Sequence, residues 1–200
     1  MAHHENREFK MLQRVLGFLS LATLCIAAVP PFQLRDTEGS IHWATDWSGA
    51  KAVLLFFVTN DCPVTNSYVP EMNRIQAVYG PRGVRTYAVA ADTSVPASKM
   101  AAYARDYRYQ FPLLLDPHQT LVQLTGATVT PQAVVLTPEG KVLYRGRIDN
   151  RVADFGKQRT DATVHDLRDA LDAVLAGKPV AAPFTKSIGC AITRVSEGMK

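Results

Sequence analysis

The sequence predicts an α/β domain, a central mixed β-sheet with helices on both faces. Three observations carry that prediction: the unbroken apolar run AVLLFFV at 52–58, the helical spacing of Tyr68, Met72, Ile75 and Tyr79 just after it, and further strand and helix patterns alternating through residue 175. A segment apolar at every position suits a strand buried on both faces. Alternation of strands with helices implies parallel crossovers, with helices packed on the sheet.

The elements follow in order. Asp36-Thr37-Glu38-Gly39 is a turn signal before a short extended piece at 41–43, and Trp47-Ser48-Gly49 closes a loop. After the strand at 52–58, Cys62-Pro63 opens the first helix and Gly80 stops it. A second buried strand fits 84–91, and Pro96 opens a helix carrying Met100, Tyr103 and Tyr107 on one face. A short strand at 112–115 and a brief helix at 120–125, ended by Gly126, lead to a hairpin of 133–137 and 141–148 turned by Pro138-Glu139-Gly140. Val164, Leu167, Leu171, Val174 and Leu175 repeat helical spacing up to Gly177 and Pro179. Only the late hairpin supplies antiparallel pairing.

With 200 residues, 47% hydrophobic and 20% charged, the chain is long enough for one sizeable core plus appendages. Twelve Gly and twelve Pro exclude collagen-like and low-complexity classes and argue against wholesale disorder. The 22 basic and 18 acidic residues leave +4, with no Lys/Arg run dense enough for nucleic acid or a polybasic membrane contact. No nucleic-acid partner is expected. Residues 15–29 are uncharged and mostly apolar, preceded by Arg7, Lys10 and Arg14 and followed by Pro30 and Pro31. That is short for a span, which needs about 20 residues, and suits the apolar part of a secretory signal. The expected organisation is a signal peptide or N-terminal anchor at 1–30, a domain at 31–177, and a tail at 178–200 that wraps over the domain or stays mobile. Export to the periplasm or another extracytoplasmic space follows, with membrane contact only if the segment stays uncleaved.

Three cysteines, Cys25, Cys62 and Cys190, are too few for a disulfide scaffold, and no Cys-X-X-Cys occurs. His42, His118 and His165 show no paired ligand spacing, so neither a metal nor a cofactor is expected. Cys62 is the residue with chemistry. It stands between a buried strand and an amphipathic helix, where free backbone N–H groups and the helix dipole favour a thiolate. Asp61 beside it opposes ionisation if its carboxylate points inward. The reading needs the sulfur ionised and reachable at the mouth of the sheet.

The stretch FFVTNDCPVTNSYVPEMNRI at 56–75, with Pro70 inside the helix, Thr130-Pro131 before the strand AVVLT, and EGSIHWATDWSGAKAVLLFF resemble the thioredoxin superfamily. More narrowly they resemble its redoxin group, which includes AhpC/TSA-type peroxiredoxins and TlpA-like thioredoxins, over about residues 32–176. The resemblance implies a thioredoxin-like fold, a nucleophilic Cys62, and a cis Thr130-Pro131 peptide facing the sulfur, with Pro131 shaping a substrate groove. Pro63, Thr65, Thr130 and Arg147 are expected to contact substrate.

The departures bear on mechanism. Thr65 stands where a dithiol thioredoxin has its second cysteine, and Asp61 replaces the usual Trp. Thr59 and Pro63 match the peroxiredoxin arrangement, but Leu55 replaces its Pro and its Arg falls at Thr130-Pro131, leaving Arg145 or Arg147 as substitutes. Asn66 breaks the Cys-X-X-X-Cys of copper-delivery relatives. Cys190, far along the chain, is the candidate resolving thiol, since an oxidised or substrate-bound Cys62 needs a second thiol to release product. The expected function is a thiol-based oxidoreductase acting on a disulfide or a peroxide, reset by an unknown thiol electron donor. The alternative is a non-catalytic binding module with the Cys62–Cys190 pair bonded structurally or not at all.

Overall fold

The computed structural model describes residues 29–195. The apolar N-terminal segment, apart from Val29, lies outside the described residues. The chain begins with an antiparallel pair, β1 (Gln33–Arg35) and β2 (Ile41–Trp43), turned at Asp36. The Asp36 carboxylate accepts from the N–H groups of Glu38 and Ser40 and lies 2.8 Å from Nε2 of His42, which locks the turn.

The main sheet has five strands. β3 (Ala52–Val58) is central, parallel to β4 (Val84–Ala90) on one side and antiparallel to β7 (Gln132–Leu136) on the other. β5 (Leu113–Leu115) extends the parallel side, and β8 (Val142–Gly146) closes the late hairpin. Every residue of β3 is buried, because alternate side chains enter two different cores. Ala52, Leu54, Phe56 and Val58 join one cluster and Val53, Leu55 and Phe57 the other. Each fully buried Leu or Phe contributes about 1.5–3 kcal/mol by leaving water.

The two faces are covered unequally. One carries α1 (Pro63–Tyr79), α2 (Ala97–Asp106) and α4 (Asp166–Leu175), through Tyr68, Met72, Ile75, Met100, Tyr103, Leu167 and Leu171. The other is closed by the short α3 (Thr120–Thr125), the β1–β2 pair and Trp47. Helices therefore lie on both faces, as predicted, but one face borrows its cover from the N-terminal hairpin.

Antiparallel pairing, expected only in the late hairpin, also joins β1 to β2 and β3 to β7, and three further details differ from expectation. Tyr107 does not continue the face of α2; it follows the helix, 40% exposed, with its ring 4.8 Å from that of Tyr103. A small hairpin, β9 (Val152–Asp154) with β10 (Lys157–Gln158), occupies what reads as a loop, turned at Gly156 with φ of 70°. The two-residue β6 (Val129–Thr130) precedes β7 and pairs with β11 (Cys190–Ala191) of the tail. Through residue 195 the tail is thus docked on the domain.

Candidate active site

Cys62 is the residue before the first turn of α1, with extended backbone (φ −83°, ψ 111°), and Pro63 takes the first helical position, where no N–H is needed. The next N–H groups have no helical partner and face the N-terminal end. Asn66 ties this turn down: its amide nitrogen lies 3.4 Å from the Asn60 carbonyl, and its oxygen accepts from the Tyr103 hydroxyl at 3.0 Å.

Cys62 Sγ donates to the Thr130 carbonyl oxygen at 3.2 Å, across 68 residues of sequence. Thr130–Pro131 is the cis peptide. Pairing of Cys190 with Thr130 in the β6–β11 ladder then brings the second thiol against the first, and both are free. Burial opposes ionisation of Cys62. Hydrogen bonds from the Cys190 side chain, the Thr65 N–H, the Thr65 hydroxyl and the Cys190 N–H outweigh it, so this thiol lies below its ordinary value. Cys190 moves the other way, pushed up to about 12 by burial, by its hydrogen bond to Cys62 and by the charges of Cys62 and Asp61. Cys62 is thus the more acidic of the two sulfurs, the one that an ionisation of the pair would leave charged.

The other expected site residues divide. The Thr65 hydroxyl is fully buried beside Cys62 and finds no hydrogen-bond partner while the thiol donates to Thr130, so it is placed to serve an anion on the sulfur and not a substrate. Thr59 donates to the Asp61 carboxylate at 3.0 Å, and that exposed carboxylate bears on Cys190. Pro63 is exposed at the rim. The Pro131 ring faces Gly189 of the tail, so the groove expected there is filled by the chain itself.

Arg147 is a correction. Its guanidinium makes two hydrogen bonds to Asp166 at 2.7 and 3.2 Å, because the sheet edge brings it to the start of α4. Arg145 is likewise engaged, donating to the carbonyls of Thr125 and Gly126 and lying over Phe184. A second correction concerns access. Cys62 is wholly buried, because the tail closes over it, while Cys190 is only partly buried. A cavity of about 230 Å³ opens beside Cys190, lined by Thr59, Asp61, Asp92 and Thr130 among others. A larger concavity of about 550 Å³ lies at the far end of α2 and holds no thiol.

Sequence reasoning did not single out Gln119. Its side chain is fully buried and binds the tail beyond Cys190. A lone Gln in a turn gives no periodic signal; its buried role exists only once the tail is docked.

The family model described as the AhpC/TSA family matches residues 27–145. The chain belongs to the AhpC/TSA family. Its fold is thioredoxin-like. A curated relative of similar sequence is the thiol-disulfide oxidoreductase ResA of Geobacillus thermodenitrificans, 28% identical over 116 residues, which are 58% of this chain and 65% of that protein. The chain therefore spans just under two thirds of that relative's length. Among solved structures, a hypothetical protein from Sinorhizobium meliloti 1021 matches with TM-score 0.71 and 27% identity, over 84% of this chain and 93% of that one. A putative thiol:disulfide interchange protein DsbE from Chlorobium tepidum matches with TM-score 0.51 and 25% identity, over 59% and 81%.

Proposed function

We propose that this AhpC/TSA-family protein is a thiol–disulfide oxidoreductase in which Cys62 is the nucleophile and Cys190 the resolving thiol. The observation that carries the reading is the pairing of Cys190 with Thr130, the residue whose carbonyl accepts from the Cys62 thiol, which sets two free thiols side by side at the head of α1. The Cys62 thiolate attacks one sulfur of a substrate disulfide, forming a mixed disulfide and releasing the other sulfur as a thiolate. Once Cys62 is bonded, its charge and its hydrogen bond no longer hold the Cys190 proton, and two causes of the raised Cys190 value disappear. Cys190 then loses its proton to solvent or to the departing thiolate. Its sulfur attacks that of Cys62, expelling the second substrate thiolate and leaving a Cys62–Cys190 disulfide. One substrate disulfide has become two thiols, and two electrons have left the protein pair. An external thiol donor restores them.

Exchange of disulfides is favoured over peroxide reduction because Arg145 and Arg147 are both committed elsewhere and a curated relative is named a thiol-disulfide oxidoreductase. Entry to Cys62 requires the two-residue β6–β11 ladder to part, a local opening beside the cavity at Cys190. The apolar segment at 15–29 supports work outside the cytoplasm.

The test is thiol accounting. Reduced protein mixed with a small aromatic disulfide is expected to lose the Cys62 and Cys190 thiols together and to yield a Cys62–Cys190 bridged peptide by mass spectrometry, with Cys62→Ser inert. A wild-type protein that leaves the reagent intact, or consumes it without forming that bridge, overturns the reading.

A further inference from the structure

We propose that Gln119 is a positioning residue for the thiol pair, a latch that holds the tail on β6 and so sets how closely Cys190 attends Cys62. The inference rests on the dithiol reading and adds the residue that governs it.

Gln119 is wholly buried, and its carboxamide joins the domain to the tail. Nε2 donates to the Ala91 carbonyl at 3.0 Å, at the end of β4, and to the Thr193 carbonyl at 2.7 Å. Oε1 accepts from the Val195 N–H at 3.0 Å. Its backbone stands at φ 53°, a left-handed conformation that a non-glycine residue keeps only when its surroundings impose it. The base is firm. Gln119 N–H donates to the Asp116 carbonyl, while the Asp116 carboxylate accepts from the N–H groups of Thr120, Leu121 and Val122 at the head of α3.

Between latch and ladder, Ile192 N–H donates to the Thr128 carbonyl and Arg194 to that of Ala127. On the other side of Cys190, the Thr185 hydroxyl lies 2.7 Å from the Tyr144 hydroxyl and accepts from the Arg147 N–H at 3.1 Å. Cys190 is thus suspended between two anchors. The upstream anchor is shared with a sheet edge; the downstream one adds the two bonds of the Gln119 carboxamide to those of Ile192 and Arg194.

Gln119→Met keeps the volume and removes both bonds to the tail. Loss of two ordinary hydrogen bonds raises the tail-open population about 30-fold. Alkylation of Cys62 in the reduced protein by iodoacetamide is expected to accelerate by that factor. The pH midpoint of the reaction is expected to rise toward the ordinary thiol value, because Cys190 no longer donates to Cys62. In glutathione buffers the bridge is expected to weaken by up to about 30-fold, or about 44 mV at 29.6 mV per tenfold. Val195→Pro, outside the core, deletes one bond and is expected to give about a 5-fold acceleration. The proposal falls if wild type forms the bridge while both variants, folded by circular dichroism, keep its alkylation rate, midpoint and bridge stability. If wild type forms no bridge, the dithiol reading fails instead, and the alkylation rates still decide whether Gln119 holds the tail.

Discussion

Replacing Thr65 with valine isolates the hydroxyl beneath the sulfur. The substitution keeps the branched shape and removes a buried hydroxyl that has no hydrogen-bond partner beside the neutral thiol and that lowers the Cys62 value. A hydrogen bond to a charged group is worth about 1.5–3 kcal/mol, whereas the same hydroxyl beside a neutral thiol gains little. At 1.36 kcal/mol per pKa unit the Cys62 midpoint is expected to rise by about 1–2 units in Thr65→Val and to stay near wild type in Thr65→Ser. Thiolate absorbance near 240 nm against pH, checked by alkylation rates, reads the midpoint directly. Linkage adds a second readout. The folded Cys62 value is depressed below its ordinary 9.0, so between the folded and unfolded values the unfolded chain binds more protons and stability rises with pH. That contribution is complete above about 9 and is lost as pH falls through the folded value, and valine narrows the window. An unchanged midpoint in Thr65→Val would show that the hydroxyl does not hold the anion, leaving the Cys190 side chain and the backbone N–H groups to account for it.

Further outcomes follow from the same geometry. Cys190→Ser is expected to stop at a mixed disulfide on Cys62, stable enough to isolate by mass spectrometry, and rapid turnover in that variant would remove Cys190 from the mechanism. In Gly189→Ala, the new Cβ lies 2.7 Å from the Thr130 carbonyl carbon and 3.1 Å from Pro131 Cδ. Overpacking of this kind costs about 1–3 kcal/mol, so Cys62 is expected to alkylate about 5- to 150-fold faster as the tail lifts. Arg147→Ala breaks the part-exposed pair with Asp166 and is expected to cost about 0.5–1 kcal/mol in urea melts while leaving Cys62 reactivity within twofold. A collapse of peroxide consumption in that variant would return the peroxidase reading.

Much of this domain can be read along the chain because its determinants are local. Residues 52–58 are apolar at every position, and the only way to bury both faces of such a strand is a sheet covered on each side. The Cys62-Pro63 junction, the spacing from Tyr68 to Tyr79 and the Pro138-Glu139-Gly140 turn are likewise self-contained signals. The candidate nucleophile is legible for the same reason, since a cysteine before a helix meets that helix's own N–H groups.

Residues whose roles depend on distant partners were not. Arg147 reads as a free cation until the sheet brings Asp166 beside it. Thr65 reads as a substrate contact until the fold buries it under the sulfur. Gln119 carries no pattern at all. The tail has too little apolar periodicity to announce its position, and its two-residue ladder gains its hold from backbone groups on β6 and a carboxamide at the head of α3. The sequence by itself determined the sheet, its covering helices and the thiol at the helix head, because short-range hydrophobic spacing and helix-end chemistry suffice for them. Only the tertiary structure decided that Cys190 lies on Cys62, because that contact is made by backbone hydrogen bonds between segments far apart in the chain, which side-chain identity does not encode.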